Sequence, residues 1–211
     1  MNESTSLQVQ PNMKNSIFFL LWIGINVGSW AVWIVLATSP ASPFVQFPDV
    51  LSHVGLFLIG GGMAVLQWLL LKQQFSIAWY EWIIVTTIGF TLGFYGLIWA
   101  ALRDFYIVFS SPGTPVLEWD PLLGGALLGL ALGCCQSIVW RPRFDRIIIW
   151  IVINVLGWSL GMFLPQLAAF LLDDSSTSWL STLFPVAFAA MATGIVLIWF
   201  LGEQYDMDKQ T

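Results

Sequence analysis

The sequence contains few charged residues and few side chains that could carry chemistry. Only 9% of its 211 residues are charged, and it has one histidine and two cysteines. With a net charge of -5, it lacks the basic surface that nucleic-acid binding requires. Cys134 and Cys135 are adjacent and cannot close an ordinary disulfide loop, and the lone His53 cannot supply the three or four ligands of a metal site. We therefore expect no nucleic-acid partner, no metal, no cofactor and no catalytic residues.

Long apolar stretches make up most of the remaining sequence. Hydrophobic residues account for 58% of the chain, and the mean hydropathy is +0.81. A helix needs about 20 apolar residues to cross the hydrocarbon core of a membrane, and six stretches reach about that length. They are residues 17–37, 54–71, 82–102, 121–140, 147–172 and 181–202. The sequence therefore predicts an all-α polytopic membrane protein with a single six-helix transmembrane domain over residues 17–202.

The basic residues indicate the orientation of this domain. Short loops rich in Lys and Arg stay on the cytoplasmic side of a membrane. On a six-helix topology only Arg103 falls on the side opposite the termini. The other basic residues are Lys14, Lys72, Arg141, Arg143, Arg146 and Lys209. We therefore predict that both termini are cytoplasmic, with a flexible tail at 1–16 and a second tail at 203–211.

Two residue patterns recur along the predicted helices. Helices 1, 3 and 5 share an aromatic residue, a polar residue four positions later and another aromatic residue four positions after that. These residues are Trp22, Asn26 and Trp30; Trp82, Thr86 and Phe90; and Trp150, Asn154 and Trp158. Helices 2 and 4 share small residues and a glutamine, Gln67 or Gln136, five positions before a basic residue. Helix 6 keeps the small residues but has Leu197 at the glutamine position. The patterns predict three pseudo-repeated helix pairs, 2–3, 4–5 and 6–1, in a closed ring.

Six polar residues inside the predicted helices are candidates for a polar network or a ligand site. They are Asn26, Gln67, Thr86, Gln136, Asn154 and Thr193. One interpretation is a set of interhelical hydrogen bonds, each worth about 0.6 kcal/mol. The other is a polar vestibule open to the cytoplasm, or a pocket for a lipid headgroup.

The two glutamines lead to a specific hypothesis about partners. We expect Thr86 and Asn154 to bond to Gln67 and Gln136, either within a helix pair or across the next interface. Because Leu197 carries no amide, Asn26 should lack a glutamine partner. It should bond instead to Thr193, a backbone carbonyl or water in a small cavity, which makes the contact between helices 6 and 1 the candidate ligand site.

Two classes of function remain open. An interaction, assembly or regulatory subunit needs surfaces rather than reactive groups, and the connection at 103–121 is one candidate contact. A small-molecule or lipid transporter or channel needs a polar path through the whole membrane, and the outer halves of the helices contain few polar residues. We favour the first class. The expected partners are membrane lipids, with another membrane protein as the further candidate.

Two motifs resemble those of uncharacterised multi-pass membrane proteins common in cyanobacteria. One is GGGMAVLQWLLLK at residues 60–72, with its counterpart in helix 4, and the other is NVLGW at residues 154–158. The resemblance covers helices 2 to 5 best. It implies a source and a plasma or thylakoid membrane location, and it implies no activity, cofactor or site residue.

Overall fold

The residues that the structure describes form six α-helices. The computed structural model describes residues 14–38, 48–75, 77–110, 120–140, 144–172 and 178–208. The helices are α1 (Asn15–Thr38), α2 (Pro48–Leu71), α3 (Trp79–Ser110), α4 (Asp120–Ser137), α5 (Phe144–Leu172) and α6 (Ser178–Asp208). No strand occurs among the described residues. The all-α class predicted from the apolar stretches is therefore confirmed.

Five of the six helices are long and apolar enough to cross a membrane, and α4 is a shorter apolar helix. The predicted span at 121–140 was wrong at its end, because α4 ends at Ser137. The backbone N–H groups of Ile138, Val139 and Trp140 donate to carbonyls three residues earlier, which tightens the chain into a turn. The 18 residues of α4 correspond to about 27 Å at 1.5 Å per residue.

α3 and α6 extend farthest beyond their predicted spans. α3 continues to Ser110 and α6 continues to Asp208. Residues 103–110, which we predicted to be part of a long connection, are therefore helical. The remainder of that connection, at 111–119, lies outside the described residues, as do 1–13 and 209–211 of the predicted tails.

The helices form a closed ring. Each helix contacts its neighbours along the chain, and α6 also contacts α1, as we predicted. Adjacent helices run in opposite directions. Along α4, for example, Gly125, Gly129 and Gly133 face Ser159, Val155 and Ile151 of α5 in reverse order. α1, α3 and α5 therefore begin at one end of the ring, which we call the near end, and α2, α4 and α6 begin at the far end.

Two clusters of buried apolar side chains fill the ring. The near cluster includes Phe18, Trp22, Trp82, Trp140, Trp150, Leu197 and Phe200. The far cluster includes Trp30, Leu56, Met63, Phe90, Leu128, Trp158 and Val186. Large apolar side chains also cover the outside of the ring, where Leu20 is 67% exposed and Ile148 is 63% exposed. Soluble proteins rarely expose such a continuous apolar surface, whereas lipid tails would cover it. The fold therefore fits an integral membrane protein.

Candidate functional site

A polar layer separates the near cluster from the far cluster. On α1, α3 and α5 the polar residue lies one turn from an aromatic residue of each cluster, as Asn26 lies between Trp22 and Trp30. The layer contains the six polar residues that the sequence singled out, and the structure buries all of them: Asn26, Gln67, Thr86, Gln136, Asn154 and Thr193. The helices therefore bring the candidate residues to a common depth.

Gln67 and Asn26 form an amide pair between α2 and α1. Gln67 Nε2 donates to Asn26 Oδ1 at 2.8 Å, and Asn26 Nδ2 donates to the Trp22 carbonyl at 2.8 Å. Because a backbone carbonyl can only accept, the orientation of the Asn26 amide is fixed, and so is that of Gln67. Our prediction that Asn26 lacks a glutamine partner was wrong. The partner comes from α2, the next helix along the chain.

Gln136 and Thr86 form the second pair, between α4 and α3. Gln136 Nε2 donates to Thr86 Oγ1 at 3.2 Å. This is the predicted arrangement across helix pairs rather than within one. In both pairs the glutamine bonds to the helix that precedes its own helix along the chain. Thr86 is therefore confirmed as a glutamine partner, and Asn154 is not.

Asn154 and Thr193 bond differently from the predictions. Asn154 Nδ2 donates to the Trp150 carbonyl at 2.9 Å, and no glutamine bonds to it. Thr193 Oγ1 accepts from Trp22 Nε1 at 3.1 Å and donates to the Ala189 carbonyl at 2.8 Å. Thr193 therefore bonds to Trp22 rather than to Asn26. Asn26 bonds to a backbone carbonyl, which was another of its predicted partners. Asn154 is the residue of the layer that makes no hydrogen bond to another helix among the described residues.

A small chamber lies within the polar layer. Its volume is about 20 Å³, and its wall includes Asn26, Gln67, Gln136, Asn154, Thr193, Trp22, Trp150 and Trp158. Thr86 does not line it. About 10–15 Å³ is enough for one water molecule. The chamber therefore has room for one water-sized species and excludes larger ligands.

Several polar atoms in the chamber wall have no protein partner. Gln67 Oε1 and Trp150 Nε1 are buried and make no hydrogen bond. Asn154 uses only its nitrogen, so that its Oδ1 accepts from none of the residues that the structure describes. Gln136 likewise bonds only through its nitrogen. Three amide oxygens of the wall residues and the Trp150 indole N–H therefore have no hydrogen-bond partner among the described residues.

Aromatic side chains close the ring on both sides of the chamber. At the far side, Trp30 packs edge-on against Phe90 and Trp158, with ring centroids 5.9 Å and 6.3 Å apart. At the near side, Trp140 packs against Trp150 at 5.9 Å and against Phe200 at 5.8 Å. The polar layer is therefore enclosed between two aromatic layers.

A groove on the outside of the ring was missed by the sequence analysis. It has a volume of about 690 Å³ and lies between α1 and α2. Its lining residues are Gly24, Ile25, Gly28, Ser29, Val32, Leu58, Ile59, Gly62, Met63, Val65 and Leu66. A Cβ atom placed on Gly24, Gly28 or Gly62 would meet nothing within 4 Å. The four-residue spacing of Gly24 and Gly28 was the available signal, because such pairs let helices approach closely.

The described residues offer no group of three or more metal-ligating side chains, and the side chain of His53 lies outside them. No family model matches this chain. No curated protein and no solved structure shows a significant match to it either.

Proposed function

We propose that this protein is a non-enzymatic interaction or assembly subunit of a membrane. Its partner is a transmembrane helix of another membrane protein, which binds in the groove between α1 and α2. The observation that carries the proposal is the open space in front of Gly24, Gly28 and Gly62. The six buried polar residues act mainly in holding the ring together.

The other intramembrane glycines show what this residue does in the ring. A Cβ atom on Gly125 would lie 2.8 Å from Ser159 Cα, and one on Gly161 would lie 2.8 Å from Pro185 Cα. At Gly133 the corresponding distance to Ile151 Cα is 2.9 Å. Each of these glycines admits the backbone of a neighbouring helix. The glycines of the groove are equally small but have no helix in front of them. This supports a binding site there for a helix from outside the ring.

The chemistry of the groove favours an apolar helix over a polar ligand. Apart from Ser29, its lining side chains are apolar. Ser29 Oγ already donates to the Ile25 carbonyl at 2.7 Å, so its hydroxyl hydrogen is in use. In lipid, where burying apolar surface adds little, close contact at small residues is the main force that joins helices. Gly24 and Gly28 provide that contact on one face of α1.

Transport is the alternative function. The polar layer favours it, because a path for a polar solute needs such groups inside the membrane. Against it, Trp30, Phe90 and Trp158 pack together on one side of the layer, and Trp140 is packed against aromatic rings on the other. A transported solute would have to separate both groups of packed aromatic side chains. Uptake of small neutral or charged solutes by proteoliposomes, above the rate of empty liposomes, would favour transport.

The proposed location is a plasma or thylakoid membrane, with the near end in the cytoplasm. The resemblance of the α2 and α5 motifs to cyanobacterial multi-pass proteins supports the location. Basic side chains at the near end support the orientation, since Lys72 Nζ lies 4.6 Å above the Trp68 ring and Arg146 Cζ lies 5.2 Å above the Phe200 ring. Reporter fusions after Ser39 and Ser175 should both report the side opposite the cytoplasm. A cytoplasmic signal from either would reject this orientation.

Photocrosslinking in intact membranes tests the proposed interaction. A photoreactive residue replaces Val32 or Leu58 in the groove, or Ile148 on the outer face of α5. All three side chains are strongly exposed, at 60%, 64% and 63%, so that lipid reaches each of them. We expect a discrete protein adduct from the groove positions and only lipid adducts from Ile148.

A blocking variant decides whether the groove itself binds the helix. Gly28→Leu places a side chain in the groove at a position where a Cβ atom meets nothing within 4 Å. It should remove the adduct at Leu58 while leaving thermal stability in detergent unchanged. Three results would contradict the proposal. They are identical adducts from Val32 and Ile148, lipid adducts alone from the groove positions, and a protein adduct at Leu58 that persists in Gly28→Leu. An adduct whose mass matches two copies of this chain would also contradict the proposal, because the proposed partner is another membrane protein.

A further inference from the structure

We propose that the near end of the ring is a gate that admits water to the polar layer. The gate consists of Phe75 and Trp140, which lie in the turns that follow α2 and α4. In the closed state both side chains are buried. When they move aside, water from the near end reaches Trp150 and the chamber, so that the polar layer becomes a vestibule. The far end stays closed. This inference is independent of the groove between α1 and α2.

Turns hold the gate residues, whereas helices hold the aromatic rings on the far side. The Phe75 N–H donates to the Leu71 carbonyl at 2.8 Å, and the Trp140 N–H donates to the Ser137 carbonyl at 3.0 Å. The rings on the far side lie within α1, α3 and α5 and are those of Trp30, Phe90 and Trp158. Residues at the end of a helix can absorb a change in backbone dihedrals while the helix itself keeps its place. The near end can therefore open without a movement of the helices.

The gate covers the near side of the chamber. The Phe75 ring packs edge-on against Trp140, with centroids 5.2 Å apart, and Trp140 packs against Trp150 at 5.9 Å. Trp150 is 1% exposed and lines the chamber. The three rings therefore form a continuous series from the turn after α2 to the chamber wall. Displacing the first two rings uncovers the third.

The closed gate leaves hydrogen-bond donors unused. The indole N–H groups of Trp82, Trp140 and Trp150 are buried and have no acceptor among the described residues. Among the described residues of the far cluster, one indole N–H, that of Trp30, is buried in the same way. A buried donor without an acceptor carries its full desolvation cost, which contact with water removes. Opening at the near end therefore relieves more unpaired donors than opening at the far end.

Aromatic packing favours the closed state. The Trp140 ring centroid lies within 6.4 Å of the centroids of four other rings, which are those of Phe75, Trp82, Trp150 and Phe200. Aromatic pairs at this spacing attract each other beyond the effect of burial alone. The packing and the unpaired donors therefore act in opposite directions. Such a balance lets an open state exist as a minor population beside the closed one.

Deuterium exchange of the indole N–H groups, followed by NMR in lipid nanodiscs, tests the gate. The groups of Trp140, Trp150 and Trp30 are all buried without an acceptor, so that burial alone protects each of them. If the near end opens by itself, Trp140 and Trp150 should exchange several-fold faster than Trp30. Exchange through global unfolding would give all three groups the same rate. Equal rates, or faster exchange at Trp30, would overturn the proposal.

A matched pair of variants separates gate opening from simple closeness to the membrane surface. Phe75→Leu removes a gate ring and should raise the exchange rate at Trp150 several-fold while leaving the Trp30 rate unchanged. Phe18→Leu makes the same change elsewhere in the near cluster, on α1, where Phe18 stacks against Trp22. It should leave the Trp150 rate close to that of the native chain. A Trp150 rate that stays native in Phe75→Leu, or that rises equally in both variants, would overturn the proposal. The comparison of Trp150 with Trp30 in the native chain requires neither variant to fold.

Discussion

The interface between α4 and α5 is built from backbone contacts, whereas α1 is attached to the ring through its side chains. On α4, three glycines at four-residue spacing face the α5 backbone, and a Cβ atom on Gly129 would lie 2.7 Å from Val155 Cα. On α1, Gly24 and Gly28 face open space at the groove. The two helices therefore use glycine for opposite purposes.

Long side chains on α1 replace the backbone contacts that it lacks. Trp22 donates to Thr193 on α6, Asn26 accepts from Gln67 on α2, and Trp30 packs against Phe90 and Trp158. A side chain bridges a wider gap than two touching backbones. The comparison shows that one ring can contain a sealed interface at α4–α5 and an open one at α1–α2, and that the open interface is where a partner has room.

The largest effect should follow from removing the main anchor of α1. Trp30→Ala deletes the ring that touches both Phe90 and Trp158, and truncating a buried Trp costs about 3–5 kcal/mol in soluble cores. We expect a loss near the low end, roughly 3 kcal/mol, since lipid rather than water receives the exposed surface. Thermal unfolding in detergent measures it. If Trp30→Ala is as stable as the native chain, α1 is not held by its side chains.

A smaller loss should follow from disturbing the backbone contact at α4. Gly129→Ala forces a Cβ atom into Asn154 and Val155, so the two helices must separate. Overpacking of this kind costs about 1–3 kcal/mol. The melting temperature in detergent should fall clearly. Gly129→Ala with native stability would show that α4 and α5 are less tightly joined than the structure indicates.

Removing the amide bond between α1 and α2 should have a modest effect. Gln67→Leu deletes the donor to Asn26 Oδ1, and such bonds inside membranes average about 0.6 kcal/mol. Gln136→Leu, which removes the bond to Thr86, is the matched variant across α3 and α4. Similar small losses from both are expected in thermal unfolding. A much larger loss from Gln67→Leu would mean that the amide, rather than Trp30, anchors α1.

The smallest effect should come from adding a methyl group in the groove. Gly28→Ala meets nothing within 4 Å, and replacing glycine by alanine inside a helix gains roughly 0.5–1 kcal/mol through backbone entropy. Stability should be unchanged or slightly higher, in contrast to the same substitution at Gly129. Destabilisation by Gly28→Ala in purified protein would show that α1 and α2 close the groove.

Much of the fold could be predicted because it depends on local features of the sequence. Apolar runs predicted the helices, and α4 ended early only because a turn begins after Ser137. The matched positions of Asn26, Thr86 and Asn154 predicted a recurring polar residue inside the helices, and all three are buried. Which neighbour each amide would bond to was predicted only in part. Gln136 bonds to Thr86 as predicted, whereas Gln67 bonds to Asn26 and no glutamine bonds to Asn154.

The sequence by itself determined the membrane class, the helices and the members of the polar layer, because composition and spacing along one helix set length, hydropathy and depth. Only the tertiary structure decided the partners of the amides, the position of the chamber and the groove between α1 and α2. Those features depend on the distance between helices and on which neighbour lies to each side in the ring. Both are set by side chains from several helices packing at once, as at Gly129 and Trp30, and no single helix contains that information.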